Sequence, residues 1–84
     1  MRRPSAIDIF VADAMCRVAD SLAKYPTPAR RARLLTHVCA GLDEQLLHPP
    51  ATRRRDNQLA LERVRRLCGD MLRQQQEAVA GEAA

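Results

Sequence analysis

Aromatic residues are almost absent from this 84-residue chain, which has no tryptophan and only Phe10 and Tyr25 to bring a ring into a core. Burial must therefore come from aliphatic side chains. A domain this short is near the lower limit at which a hydrophobic core suffices without a disulfide, a metal or a partner. Hydrophobic residue types make up 46% of the chain and charged types 29%, which is typical of a globular rather than a disordered protein. We expect one domain over residues 1–84, with a thin core.

Closely spaced cysteines and long apolar runs are missing as well. Cys16, Cys39 and Cys68 are odd in number and far apart, so no C-x-x-C pair indicates a zinc or redox site. His37 and Cys39 would point to nearly opposite sides of one helix, so they cannot chelate a single ion from it. No run approaches the ~18 apolar residues of a membrane span, and acids interrupt the stretch where a signal peptide would lie. These absences predict a reducing, cytoplasmic location with no membrane contact and no bound metal.

The residue patterns of common catalytic sites are also absent. The chain has no Gly-rich phosphate loop, no paired-carboxylate constellation and no nucleophile motif. Its two serines have simpler explanations, Ser5 as a helix cap and Ser21 as a neighbour of the core. We therefore expect a protein that is not an enzyme and uses no cofactor.

Helical periodicity is what the sequence does contain. The proline-bearing segments YPTPA and HPPAT divide it into three parts, each with apolar residues at helical spacing and none alternating with period two. Ser5 with Asp8 resembles a capping box, and Thr27 and Thr52 are the expected caps of the next two helices. The predicted fold is an all-α, up-down-up three-helix bundle with helices at about 6–24, 28–47 and 53–78 and flexible ends at 1–4 and 79–84.

The stretch TRRRDNQLALERVRRL, residues 52–67, is the most charged part of the chain. On a helix that continues beyond it, one face opposite the apolar side would carry Arg55, Glu62, Arg66, Asp70, Arg73 and Glu77. The i,i+4 spacing predicts three ion pairs there, Glu62 with Arg66, Arg66 with Asp70, and Arg73 with Glu77. A self-neutralised face of this kind is typical of solvent exposure rather than of a helix that binds nucleic acid.

Two clusters of arginine lie where helices should begin, Arg30, Arg31 and Arg33 in the second helix and Arg53, Arg54 and Arg55 in the third. Cations at a helix N-terminus oppose the helix dipole, so their presence calls for an explanation. In an up-down-up bundle the second cluster would lie beside Asp43 and Glu44, and the first beside Asp20 and Glu77. We favour this charge matching. The alternative is that both clusters contact phosphate or the acidic surface of a partner.

The first helix has two apolar stripes. Its main stripe is expected to form the core and comprises Ile7, Val11, Ala14, Met15, Val18 and Leu22. A second stripe of mostly small side chains comprises Ile9, Ala12, Cys16, Ala19 and Ala23. Either the other two helices straddle the first and cover both stripes, or the second stripe is an interface with another chain. Two-fold symmetry would then allow a homodimer.

These features favour a non-enzymatic protein–protein interaction module, a small regulator, adaptor or inhibitor that binds and occludes a partner protein. Its size is also typical of mobile-element products. The net charge of +4 permits weak attraction to anions, including an acidic partner surface. The alternative function is a basic helical protein associated with nucleic acid, in which Arg2, Arg3 and the two arginine clusters contact phosphates.

Overall fold

A computed structural model describes residues 3–83 of the chain as three α-helices: α1 (Ala6–Leu22), α2 (Pro28–Leu47) and α3 (Arg55–Ala83). No strand occurs within this described range. The prediction of an all-α fold with three helices is confirmed. The parts of the predicted flexible ends that fall on residues 1–2 and 84 lie outside the described residues.

The first two helices begin as the sequence predicts. The hydroxyl of Ser5 accepts a hydrogen bond from the backbone N–H of Asp8 at 3.1 Å, and the Asp8 carboxylate accepts one from the backbone N–H of Ser5 at 3.3 Å. Thr27 caps α2 by accepting from the backbone N–H of Arg30 at 3.3 Å, with Pro28 in the first turn. These bonds satisfy N–H groups that have no partner within a helix, and so they fix where each helix starts.

The bounds of α3 differ from those predicted. Thr52 lies in a turn and does not cap the helix, since Gln58 donates its backbone N–H to the carbonyl of Arg54 and the helix begins at Arg55. At its other end the helix continues to Ala83, five residues beyond the predicted end at about 78. The added residues include no proline, and the helix continues through Gly81, which costs about 1 kcal/mol relative to alanine but does not end it.

The long helix α3 lies at the centre and packs against both α1 and α2, which make little contact with each other. Asp8, near the start of α1, pairs with Arg63, whereas Leu22, at its end, lies near Met71, so α1 runs parallel to α3. Asp43, near the end of α2, pairs with Arg65, so α2 runs antiparallel to α3. The up-down-up order is confirmed, with the third helix as the shared neighbour.

The core is thin, as expected. Among the described residues the buried hydrophobic side chains are Val11, Leu22, Leu35, Cys39, Ala60, Val64 and Cys68. The molecule measures 46 × 36 × 19 Å and has a radius of gyration of 14.5 Å, against ~12 Å for a compact domain of this length. It exposes 6449 Å² of surface, whereas a compact monomer of its mass exposes ~5000 Å². Three helices arranged as a flat slab leave more surface in water than a compact domain of this mass would.

Gly41 lies within α2, where the sequence allows either a close helix crossing or a glycine that the helix simply tolerates. The structure shows open space, since a Cβ at this position would meet no atom within 4 Å. We therefore expect Gly41→Ala to raise the free energy of unfolding by ~0.5–1 kcal/mol, because alanine removes backbone freedom from the unfolded chain. Chemical denaturation followed by circular dichroism measures this change.

Gly69 in α3 provides the matched comparison for that substitution. A Cβ there would lie 2.8 Å from Nη1 of Arg65, so the guanidinium would have to shift. Gly69→Ala should therefore stabilise the protein less than Gly41→Ala. An equal gain in stability at both positions would show that the Arg65 guanidinium moves away from a Cβ at position 69 without cost.

Candidate functional site

The second apolar stripe of α1 faces solvent along its whole length. We call it the outer stripe: Ile9, Ala12, Cys16, Ala19 and Ala23, all of them exposed, with Ile9 57% exposed. The main stripe of the same helix packs towards α3, and its six residues are buried or half-buried. The interpretation in which α2 and α3 straddle α1 and cover both stripes is therefore wrong. Because α1 has one close neighbour, only one of its sides is covered.

Charged groups border the outer stripe without entering it. On one edge Asp8 accepts a hydrogen bond from Nη1 of Arg63 at 2.8 Å, and on the other Asp13 pairs with Arg17 at 3.1 Å. Near the end of α1, Ala19 lines a shallow groove of about 270 Å³ together with residues of α2 and α3. An apolar strip with polar edges has the general layout of a protein interface.

Several exposed large hydrophobic residues were not among the predicted site residues. Phe10 and Tyr25 are exposed at the margins of α1, Leu47 at the end of α2, and Leu59 and Leu67 on α3. Leu67 falls on the apolar side of α3 by periodicity, but the slab leaves that position partly uncovered. Periodicity identifies an apolar face and not its neighbours, so the sequence alone could not reveal this exposure.

The arginine clusters are not matched to acids as predicted. Arg53 donates from Nη1 to the backbone carbonyl of Gln45 at 2.7 Å and to the side chain of Gln58 at 3.0 Å. Asp43, its expected partner, instead accepts from Nε of Arg65 at 2.7 Å. Arg65 lies in the middle of α3, where it can cross directly to α2. The prediction of charge matching between helices was right for Asp43 but assigned it the wrong arginine.

The first cluster also differs from the prediction that it balances Asp20 and Glu77. Arg31 donates from Nε to the backbone carbonyl of Tyr25 at 2.9 Å and thereby secures the turn before α2. Among the described residues, four cluster members make no side-chain ion pair or hydrogen bond: Arg30, Arg33, Arg54 and Arg55. These four guanidinium groups are free to meet an external anion.

The two clusters lie at opposite ends of α2. Arg30 is in its first turn, whereas the Arg53 side chain reaches the carbonyl of Gln45 near its last turn. A helix of 20 residues separates its ends by about 30 Å, because each residue advances 1.5 Å. Arg2, which the alternative function also invokes, lies outside the described residues. The six arginines of the two clusters therefore form two separate patches rather than one continuous basic track.

The charged face of α3 is exposed as predicted, but none of its three predicted i,i+4 ion pairs forms between described side chains. Arg73 pairs with Asp70, three residues earlier, at 2.9 Å. Two of the predicted pairs place arginine before the acid, which is the less favourable order on a helix. Exposed ion pairs of this kind contribute little to stability. Their absence therefore leaves unchanged the interpretation of this face of α3 as solvent-exposed.

The three thiols differ in their surroundings. Cys39 and Cys68 are buried in the core, and burial raises the pKa of both thiols, which disfavours the reactive thiolate. Cys16 is exposed in the middle of the outer stripe. Within residues 3–83 no three side chains of the His, Cys, Asp or Glu type converge as a metal site.

Asp8 connects the start of α1 to α3, and this contact should be visible in the pH dependence of stability. The hydrogen bond from Arg63, followed by those from Ser5, lowers the pKa of Asp8 below its ordinary 3.8. A carboxyl whose folded-state pKa is depressed stabilises the fold above its unfolded pKa, and this contribution is lost as the pH falls through the folded value. We expect Asp8→Asn to lower the melting temperature at neutral pH, with the difference from wild type disappearing in acid below 3.8.

Asp20→Asn is the matched control for that experiment, since Asp20 is an exposed carboxylate of the same helix with no ion pair among the described residues. Melting temperatures of the wild type and both variants across the acidic range decide the outcome. If Asp8→Asn and Asp20→Asn had the same effect at every pH, the bond to Arg63 would contribute nothing to stability.

The fold and its surface define a small all-α bundle with one uncovered apolar helix face and two unmatched arginine patches. Comparison with known proteins gives no match, whether to a family model, to a curated protein or to a solved structure. None of the three helices, over the residues described, combines the length and apolar character needed to cross a bilayer.

Proposed function

We propose that the protein is a non-enzymatic protein-binding module, a small regulator, adaptor or inhibitor that covers a surface of its partner with the outer stripe of α1. The observation that carries this proposal is the exposure of all five stripe residues on a helix whose opposite side is packed on α3. A helix with two apolar sides and one neighbour leaves an apolar side in water, and burial of that side favours association.

The area of the molecule supports the same proposal. Its exposed surface of 6449 Å² exceeds the ~5000 Å² expected for its mass by more than the ~800 Å² that each partner buries in a standard interface. Small side chains at Ala12, Ala19 and Ala23 would let a partner helix approach closely. The partner is another protein, and a second copy of this chain is one form that it can take.

The proposal assigns the protein a binding role and no reaction. The exposed thiol of Cys16 suits a reducing compartment such as the cytosol, where it would remain unpaired. Binding, rather than chemistry, is then the means by which the protein acts.

Association with nucleic acid is the second candidate, and the observation in its favour is the set of free guanidinium groups at Arg30, Arg33, Arg54 and Arg55. The division of these four guanidinium groups between the two ends of α2 weakens this second candidate function. Phosphate binding draws its affinity from many simultaneous contacts, each of which releases a counterion. Two patches towards opposite ends of α2 would have to engage separate stretches of backbone.

Salt dependence distinguishes the two functions. We expect complexes formed through the outer stripe to withstand a rise from about 0.1 M to about 0.5 M salt and treatment with nuclease, because apolar docking releases few ions. Sedimentation analysis of the complex under both conditions measures this. Replacing Arg53, Arg54 and Arg55 together with Gln should leave binding intact and cost only modest stability, mainly through the lost contact of Arg53 with Gln45. A complex that dissociates in salt, and that the triple variant fails to form although folded, would overturn the proposal and favour the second candidate.

A further inference from the structure

A groove of about 440 Å³ lies beside the turn between α1 and α2, on the exposed side of the first half of α2. Its lining comprises Tyr25, Arg30, Arg33, Leu34 and His37. None of these residues belongs to the outer stripe, so the groove is a separate surface and its occupant goes beyond the proposed function.

The charge of the groove is positive and unopposed. Arg30 and Arg33 form no ion pair or side-chain hydrogen bond with any described residue, and no acid lines the groove. The first turn of α2 contains no acidic residue either. Arg31, between them in sequence, is already committed to the carbonyl of Tyr25 and is absent from the lining. The two free guanidinium groups, three residues apart, therefore lie on one face of the helix with their donors unused.

The remaining lining is partly apolar. Leu34 is half-buried and follows Arg33 directly, and Tyr25 brings its ring from the turn. A ligand that fits must therefore offer negative charge and an apolar group side by side. An acidic peptide segment with aliphatic side chains meets both requirements.

We propose that this groove binds a short acidic segment of a partner protein, with carboxylates on Arg30 and Arg33 and an adjacent aliphatic side chain against Tyr25 and Leu34. Guanidinium groups bind carboxylates through charge-assisted, often bidentate hydrogen bonds, which give the contact both strength and direction. A nucleic-acid backbone fits less well, because the lining is partly apolar and the other free arginine patch lies towards the opposite end of α2.

Tyr25 makes the groove directly observable, since it is the single tyrosine of a chain without tryptophan. The probe is a capped peptide of sequence Glu-Leu-Asp-Glu-Leu, and its neutral counterpart is Gln-Leu-Asn-Gln-Leu. The acidic peptide should change the Tyr25 fluorescence and shift the backbone NMR signals of Leu34 and His37. The neutral peptide should bind at least about tenfold more weakly.

Two double variants with equal loss of charge then locate the binding. Arg30→Gln with Arg33→Gln should weaken binding of the acidic peptide at least about tenfold, whereas Arg54→Gln with Arg55→Gln should leave it nearly unchanged. Circular dichroism confirms that both remain helical. Equal loss in both variants, equal binding of the two peptides, no response at millimolar acidic peptide, or a Tyr25 response to a single-stranded oligonucleotide alone would each overturn the proposal. Because the outer stripe is untouched, these outcomes leave the test of the proposed function independent.

Discussion

Leu35→Ala is expected to lower the free energy of unfolding by ~2–5 kcal/mol, the range for removing a buried leucine side chain beyond its β-carbon from a packed core. Leu35 is 0% exposed and is one of only two fully buried large side chains among the described residues. A core this thin has few other contacts with which to close the cavity. Small domains have total stabilities near the low end of ~5–15 kcal/mol, so the variant should be partly unfolded even without denaturant.

Urea denaturation followed by the helical circular dichroism signal measures this loss. Leu47→Ala is the matched control, because Leu47 belongs to the same helix, is removed by the same substitution and is 72% exposed. It should cost less than ~0.5 kcal/mol. Comparable losses at both positions would mean that Leu47 is covered in solution, most simply by a second molecule at that end of the slab.

Local signals in the sequence were sufficient to predict where helices begin and how many there are. The capping bonds of Ser5 and Thr27 involve residues three apart, so the pattern that predicts them also contains both partners. The start of α3 shows where such reasoning fails. Thr52 has the chemistry of a cap, but it lies in a turn, Arg53 is held by Pro50 and Gln45, and the helix forms only from Arg55. Contacts with the preceding helix decide that boundary.

The candidate site was predicted in part for the same reason. Periodicity placed Ile9, Ala12 and their neighbours on one stripe of α1, which needs only the geometry of a single helix. Whether that stripe would be covered depended on which helix lies at the centre. The apolar pattern of this sequence is compatible with an up-down-up bundle that has α1 in the middle and with one that has α3 in the middle. The structure shows the second arrangement.

The pairing of charges depended still more on tertiary geometry. Asp43 was expected to meet the arginines at the start of α3, which are close to it along the chain. It meets Arg65 instead, because the crossing of the two helices places the middle of α3 opposite that acid. Arg30 and Arg33 were expected to be neutralised and are not, and this difference between prediction and structure is the basis for assigning an acidic ligand to their groove.

Ala19→Glu tests the outer stripe itself and should weaken association through it on the order of a hundredfold. Ala19 is exposed, so the substitution adds a charge to the surface of α1 without disturbing the core, and glutamate is well tolerated in a helix. In a complex, that charge would be removed from water against the apolar residues of the stripe, which costs several kcal/mol. The cation that shares a groove with Ala19 is Arg31, and its Nε already donates to the carbonyl of Tyr25. The free protein should therefore fold normally while the complex becomes much weaker.

Ala40→Glu is the matched control, since Ala40 is an exposed alanine within α2, outside both the outer stripe and the arginine groove. Both variants change the net charge by the same amount, so any difference between them reports position rather than charge. Analytical ultracentrifugation and titration with the isolated partner should show a smaller species and weaker binding for Ala19→Glu, with Ala40→Glu like the wild type. If the wild type is already monomeric and binds its partner no better than Ala19→Glu does, the outer stripe is ordinary solvent-exposed surface and binding occurs elsewhere.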